Sequence, residues 1–314
     1  MSATRHSVLR HALLGNRTCR LFVLDMGRGR IVSMNTDGSD AKTVVSGCRL
    51  PNGMIVDVEG GHVFWSGMGV ANRNDGAIER ADLDGRNRRR LIPEGVIFTP
   101  KKMFLDGSNR KLYWSDREGM RIMRANLDGS HMETLVETGR GESDRRITSN
   151  WCLGVVVDVV RQHIYWSQEG RDKAGSGRLL RAGIKIPKGE TAATRTDITT
   201  FFEHPSHPID LEFDSTNRML YWIDRGPTFR RSTVNRTPID GDVRHSEVLG
   251  DLMEGVSISL DVPADRMYVT EQGGSIYSTR LDGSDKCVVA IAQGSLAAIA
   301  CADVQSQAGL PALR

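Results

Sequence analysis

"KLYWSDREGMRIMRANLDGS", residues 111–130, decides the fold because its core word does not stand alone. "HVFWSG" (62–67), "HIYWSQ" (163–168) and "MLYWID" (219–224) repeat it, and "LFVLD" and "MYVTE" carry it without tryptophan. Aligned on the third residue of that word, the anchors are Val23, Trp65, Trp114, Trp166, Trp222 and Val269, spaced by 42 to 56 residues. The last five each have an aspartate eight residues upstream: Asp57, Asp106, Asp158, Asp214 and Asp261. Spacing between anchors drifts while the eight-residue interval does not, so each aspartate and its anchor belong to one hairpin and insertions fall between hairpins.

A second signal follows each anchor. "IVSMNTDGSD", "IERADLDGRN", "IMRANLDGSH", "TPIDGD" and "IYSTRLDGSD" alternate apolar and polar residues and end in Asp-Gly, a dipeptide expected to supply the positive φ angles of a tight hairpin. At 178–190 Asp-Gly is missing, and a Pro-Lys-Gly turn is expected instead. Each unit therefore holds four antiparallel strands in about 45–50 residues, the period of a propeller blade. Stacked round a ring, the blades bury both faces of every sheet. The recurring Trp supplies flat area between blades, with its N–H available for a partner. The first unit lacks an innermost strand, and Ser295–Asp303 ("SLAAIACAD") reads as that strand, with Asp303 in register with the other five aspartates. The expectation is an all-β, six-bladed propeller of four-stranded antiparallel blades, closed by pairing of the C-terminal strand with the N-terminal blade. It forms a single domain over 1–314 with its core at about 20–304.

Composition agrees with a globular chain: 39% hydrophobic and 26% charged residues exclude a disordered or fibrous protein. A net charge of +3 gives no reason to expect a nucleic-acid partner, and the basic run Arg86–Arg90 reads as a solvated loop. The N-terminal stretch shows no secretory signal pattern and no window is apolar enough to span a membrane. Five cysteines (Cys19, Cys48, Cys152, Cys287, Cys301) without regular spacing read as mostly buried, reduced thiols. Together these give a cytoplasmic expectation.

"LYWSD", "IYWSQ" and "LYWID", each after an aspartate-ended strand and before "I-R-N-L-D-G-S", resemble the YWTD repeats of low-density lipoprotein receptors over residues 20 to 304. Receptor propellers of that kind are extracellular, bind proteins and sit beside disulfide-bonded modules, whereas this sequence shows no cysteine framework. In size, architecture and missing modules the chain also resembles the fungal hetero-Diels–Alderases of tropolone–sesquiterpenoid biosynthesis. That resemblance implies a cofactor-free enzyme that turns a hydroxymethyl tropolone into a quinone methide and guides its cycloaddition to a humulene-type alkene.

Loops from strand 2 to 3 and from strand 4 to the next strand 1 share one rim, and the long insertions cluster there: 67–77, 93–101, 138–152, 167–178, 201–208 and 224–232. Within them Met68, Phe98, Trp151 and Phe229 either line an apolar pocket or cap the core beneath their loops. Arg49, Arg73, Arg171 and Arg225 either converge on a tropolonate or carboxylate or remain solvated charges. His204 and His207 are the acid–base candidates, each just before a first strand. Glu169 and Asp224 follow the Trp of their blades, although Asp116 at the place equivalent to Asp224 argues for a structural role. No catalytic-serine, phosphate-loop or HExxH pattern occurs, and His204-x-x-His207 lacks a third ligand nearby, so no cofactor and no metal is expected. The six aspartates read as turn anchors rather than a calcium ring. Two functions stay open: a pericyclase whose pocket aligns its reactants, or a non-catalytic module presenting the same rim to a protein.

Overall fold

The computed structural model describes residues 17–170, 175–226 and 231–304, and among them 24 strands, β1–β24 in chain order, form six four-stranded antiparallel sheets. Their innermost strands are β4 (Pro51–Asp57), β8 (Pro100–Asp106), β12 (Cys152–Asp158), β16 (Pro208–Asp214), β20 (Gly255–Asp261) and β24 (Leu296–Asp303). Strand β24 pairs with β1 (Cys19–Asp25), so the last strand completes the blade that the first begins. Asp303 misses the expected register by one residue. It faces Cys19, whereas Ala302 faces Arg20, three before the anchor, where the other five blades put their aspartate. The seam joins separate stretches of chain, so no hairpin needs anchoring there. Asp303 instead accepts the Thr18 N–H and Arg17.

The other aspartates do anchor turns. Asp57, Asp106, Asp158, Asp214 and Asp261 each accept the backbone N–H three residues on, at 2.9–3.4 Å. Three also receive an arginine from the following blade: Arg110 on Asp57, Arg218 on Asp158 and Arg17 on Asp261, each at 2.7 Å.

The four anchor tryptophans are fully buried between blades. None of their indole N–H groups has a hydrogen-bond partner among the described residues, contrary to expectation, so the ring is retained for its area. The Asp-Gly turns also differ from expectation. Only the glycine has positive φ (Gly38, Gly85, Gly129 and Gly283 at 85–86°), and a second positive φ falls two residues later. A Cβ on any of these four would lie 1.5–2.5 Å from a carbonyl oxygen of the preceding blade's outer strand. The dipeptide thus turns its own hairpin and lets two blades approach closely.

In the fourth blade, β12–β15, the Pro-Lys-Gly turn forms, with the Glu190 N–H donated to the Pro187 carbonyl, but the outermost strand starts only at Thr199. The intervening loop is tied down by buried Arg195, which donates to the carbonyls of Leu135 and Gly183 and pairs with Asp197. Two stretches expected to be rim loops are partly strand, since outer strands cover Arg89–Ile97 and Thr199–Glu203. No helix of the described residues is long and apolar enough to cross a membrane.

Candidate active site at the propeller mouth

The repeat builds a site by giving each blade the same backbone and a different side chain. Three residues beyond each anchor stand Met26, Met68, Arg117, Glu169, Arg225 and Gln272. Each donates its N–H to the carbonyl of the residue just before an inner strand: Ser295, Leu50, Thr99, Trp151, His207 and Glu254, at 2.7–3.4 Å. All six line one cavity of about 370 Å³. Beneath them a second ring lines it from the inner strands: Asn52, Lys101, Leu153, Ile209, Val256 and Ala297. Every inner strand is irregular at this point, and such bulges re-aim side chains, here into the channel.

The floor comes from the next position, occupied by Gly53, Lys102, Gly154, Asp210, Ser257 and Ala298. Lys102 spans the channel. Its Nζ donates to the carbonyls of Val256 (2.9 Å) and Ala297 (3.1 Å) and lies 3.2 Å from Asp210 Oδ2. Asp210 also accepts Ser257 Oγ–H and the Ile258 N–H. This knot joins four blades and separates the mouth from a smaller cavity of about 170 Å³ below, where burial and Asp210 push the Glu212 carboxyl up to about 8.

The mouth itself is cationic on one side. Burial, reinforced by Arg117, pulls the Lys101 ammonium down to about 7, and its Nζ has the thioether of Met68, a weak acceptor, at 2.8 Å. Arg117 pairs with buried Glu118 and lies 4.7 Å over the Trp151 ring. Burial would raise the Glu118 carboxyl, but Arg117 and Lys101 outweigh it and hold it below the usual range. Trp151 is fixed by its indole N–H on the Arg145 carbonyl (2.8 Å), at the end of the one-turn helix Gly141–Arg145. Opposite, His207 Nε2 lies 3.6 Å from Glu169 Oε1, both side chains buried, and Arg225 donates to Gln272 Oε1 at 2.7 Å. Such a site can hold an anion against cations, shield an apolar body, and move a proton at Lys101 or at the His207–Glu169 pair.

The structure brings together Met68, Trp151, Glu169, His207 and Arg225 from the expected set. It leaves the other described members of that set outside the cavity lining. The His204 side chain is 82% exposed, at a residue with a positive φ of 75°. Arg49 is held on the surface by Asp75 and Glu94, and Arg73 is exposed on its loop. Phe98 packs under Arg145 at 3.9 Å. Asp224 accepts the N–H groups of Ser206, His207 and Gly226, the same staple that Asp116 makes to Phe98 and Thr99, so it positions His207 rather than facing the cavity. Arg171 and Phe229 lie outside the described residues. Sequence reasoning missed Lys101, Lys102, Arg117 and Gln272. Counting three residues past each anchor would have found Arg117 and Gln272, but nothing local marks the two lysines as inward-facing.

Fold and cavity define a six-bladed propeller with a partly open mouth cavity of small-molecule size. The chain is 37% identical over 306 residues to a Pyricularia oryzae protein named low-density lipoprotein receptor-related protein 1, covering 90% of this chain and 97% of that one. It belongs to that family of low-density lipoprotein receptor-related YWTD propellers. It is also 37% identical over 289 residues to a Cochliobolus heterostrophus protein named 3-hydroxyacyl-CoA dehydrogenase-like protein LAM1; the match covers 85% of this chain but 61% of LAM1's length. No protein-family model matches. Among solved structures the nidogen/laminin complex superposes with TM-score 0.73 at 20% identity, over 91% of this chain and 99% of that one, a likeness of fold.

Proposed function

We propose that the mouth is the pocket of a cofactor-independent enzyme of secondary metabolism that dehydrates a hydroxymethyl tropolone to a quinone methide and directs its hetero-Diels–Alder addition to a humulene-type alkene. The observation that carries this reading is Lys101, its ammonium pulled down to about 7 by burial, in a partly open cavity of about 370 Å³ beside Arg117 and Arg225. A tropolone is an acidic hydroxyl next to a carbonyl, an oxygen pair that guanidinium groups hold well. In its neutral form Lys101 takes the ring hydroxyl proton. His207, in its protonated form beside Glu169, gives a proton to the departing hydroxymethyl oxygen, which leaves as water. The cycloaddition needs no further proton, only alignment, and Leu153, Ile209 and Val256 offer the alkene an apolar wall. The partners are therefore small apolar molecules, with no nucleic acid.

The test is incubation of the purified protein with hydroxymethyl tropolone and humulene, with products resolved by chiral chromatography. The expected result is one stereoisomer from the wild type and a loss of about 100-fold or more in its rate with Lys101→Met or His207→Phe. A product mixture identical to the protein-free reaction overturns the proposal. If a protein is then captured in a manner abolished by rim substitutions, the remaining reading, a protein-binding module, takes its place.

A further inference from the structure

The second chemical cluster lies at the opposite rim, where the ring is sealed. Cys19 on β1 and Cys301 on β24 are diagonal neighbours across the closing pair, since Cys19 faces Asp303 and Leu21 faces Cys301. Asp261, at the end of β20 in the adjoining blade, completes a trio whose two sulfurs and carboxylate oxygen all lie within 4.8 Å of one another. No other group of three His, Cys, Asp or Glu among the described residues is so close. All five cysteines are free, so both thiols are available.

We propose that Cys19, Cys301 and Asp261 form a binding site for a borderline-soft divalent metal ion of the zinc type, which clamps the first and last strands of the chain to the sixth blade, β20–β23. Two thiolates and one carboxylate are a zinc-type donor set, and a tetrahedral ion with metal–sulfur bonds of about 2.3 Å needs donor atoms roughly 4 Å apart, which the trio meets with little movement. A hollow lined by Arg17, Thr18, Cys19, Asp261, Ala264 and Tyr268 among others opens onto Cys19 and Asp261, giving entry and room for a water as fourth ligand beside Cys301 on the neighbouring strand. Two carboxylates, Asp261 and Asp303, stand against one guanidinium, Arg17, so the site is net negative before any thiol ionises. Binding releases both thiol protons and frees Asp261 from Arg17, which keeps its bond to Asp303 at 3.1 Å. An ion here cross-links strands separated by nearly the whole chain, so it stabilises the closed ring by mass action.

The experiment uses the full chain, stripped with a chelator and titrated with cobalt(II), whose thiolate charge-transfer and tetrahedral d–d bands report the donor set. The expected result is one equivalent bound with both bands, displaced by zinc, and a higher melting temperature with zinc. Cys19→Ser and Cys301→Ser each lose the charge-transfer intensity and the thermal shift, while a Cys48→Ser, Cys152→Ser, Cys287→Ser variant keeps them. Far-UV circular dichroism of each variant without metal confirms that the ring has folded. Absence of the thiolate band in the stripped wild type overturns the proposal. So does a band that survives in both single variants, or a protein two hydrogens lighter whose Cys19 and Cys301 are joined as a disulfide. Cycloaddition activity plays no part in the readout, so this site stands or fails separately from the mouth.

Discussion

Lys101 and Glu212 sit on either side of the Lys102 knot, and their environments tilt stability in opposite directions with pH. Lys101 falls from 10.5 in the unfolded chain to about 7 in the fold, so the unfolded state binds the extra proton between those values. Stability is then lowest below about pH 7 and is regained as pH rises towards 10.5. Lys101→Met should melt higher than wild type at pH 6, with the difference shrinking by pH 10. Glu212 rises from 4.5 to about 8, so here the fold holds the extra proton. Its contribution is complete below pH 4.5 and is lost as pH rises through about 8. Glu212→Gln should therefore match wild type near pH 5 and exceed it at pH 9. Melting temperatures of the three proteins across pH 5–10 check both signs, and parallel curves would refute both. Neither residue is marked in the sequence: Lys101 is one of two adjacent lysines, and Glu212 stands in a strand "PIDLEFD" that alternates like any half-exposed one. What makes them unusual is the narrow axis where six strands converge, a tertiary fact.

At the scale of the element, the repeated word explains itself through its serine. Ser66 Oγ accepts the Gly53 N–H of its own inner strand at 2.8 Å and donates to the Lys101 carbonyl of the next blade at 3.0 Å. Ser115 makes the same donation to the Leu153 carbonyl, and Ser167 accepts the Gly154 N–H at 2.8 Å. The tryptophan beside each serine fills the space between blades, while the serine satisfies the bulge that opens the inner strand towards the cavity. Gly53 is confined by the same arrangement, because an added Cβ would lie 1.9 Å from the Lys101 carbonyl oxygen. Gly53→Ala should cost about 1–3 kcal/mol in denaturant unfolding through forced backbone displacement. Gly107→Ala, in a hairpin with nothing within 4 Å of the new carbon, is the control and should be within about 0.5 kcal/mol of wild type. Hairpins, anchors and turn aspartates were legible because each is a local rule written several times. The start of the fourth blade's outer strand was not, because Arg195 and its carbonyl partners, rather than a turn dipeptide, decide where that strand begins.

For the whole molecule, the decisive contact is between chain segments nearly three hundred residues apart. The pairing of β24 with β1 was legible from an arithmetic mismatch, six anchors but only five complete hairpins, and its one-residue register offset was not, because no turn couples the two strands. Leu296, Ala297, Ala298 and Ile299 are buried, and Lys102 donates to the Ala297 carbonyl, so this strand finishes the first blade, the seam and the cavity floor together. Deleting 296–314 should remove far more than about 5 kcal/mol of burial and pairing, lowering the melting temperature by at least about 10 °C and exposing open edges to aggregation. A synthetic peptide of residues 295–304 added in trans should recover much of that loss. The complementary molecule keeps every strand but moves the opening. The Val304 N–H already donates to the Thr18 carbonyl at 3.1 Å, so a flexible linker can join these ends. New termini can then be cut at Gly241–Asp242, an exposed turn. That permutant should fold and melt within a few degrees of the parent, because the ring needs its sixth inner strand and not the position of its break. Thermal unfolding of the three molecules side by side is the measurement. A truncated chain as stable as the parent would show that five blades and a fragment close without β24, and a permutant that fails to fold would show that the seam must form last.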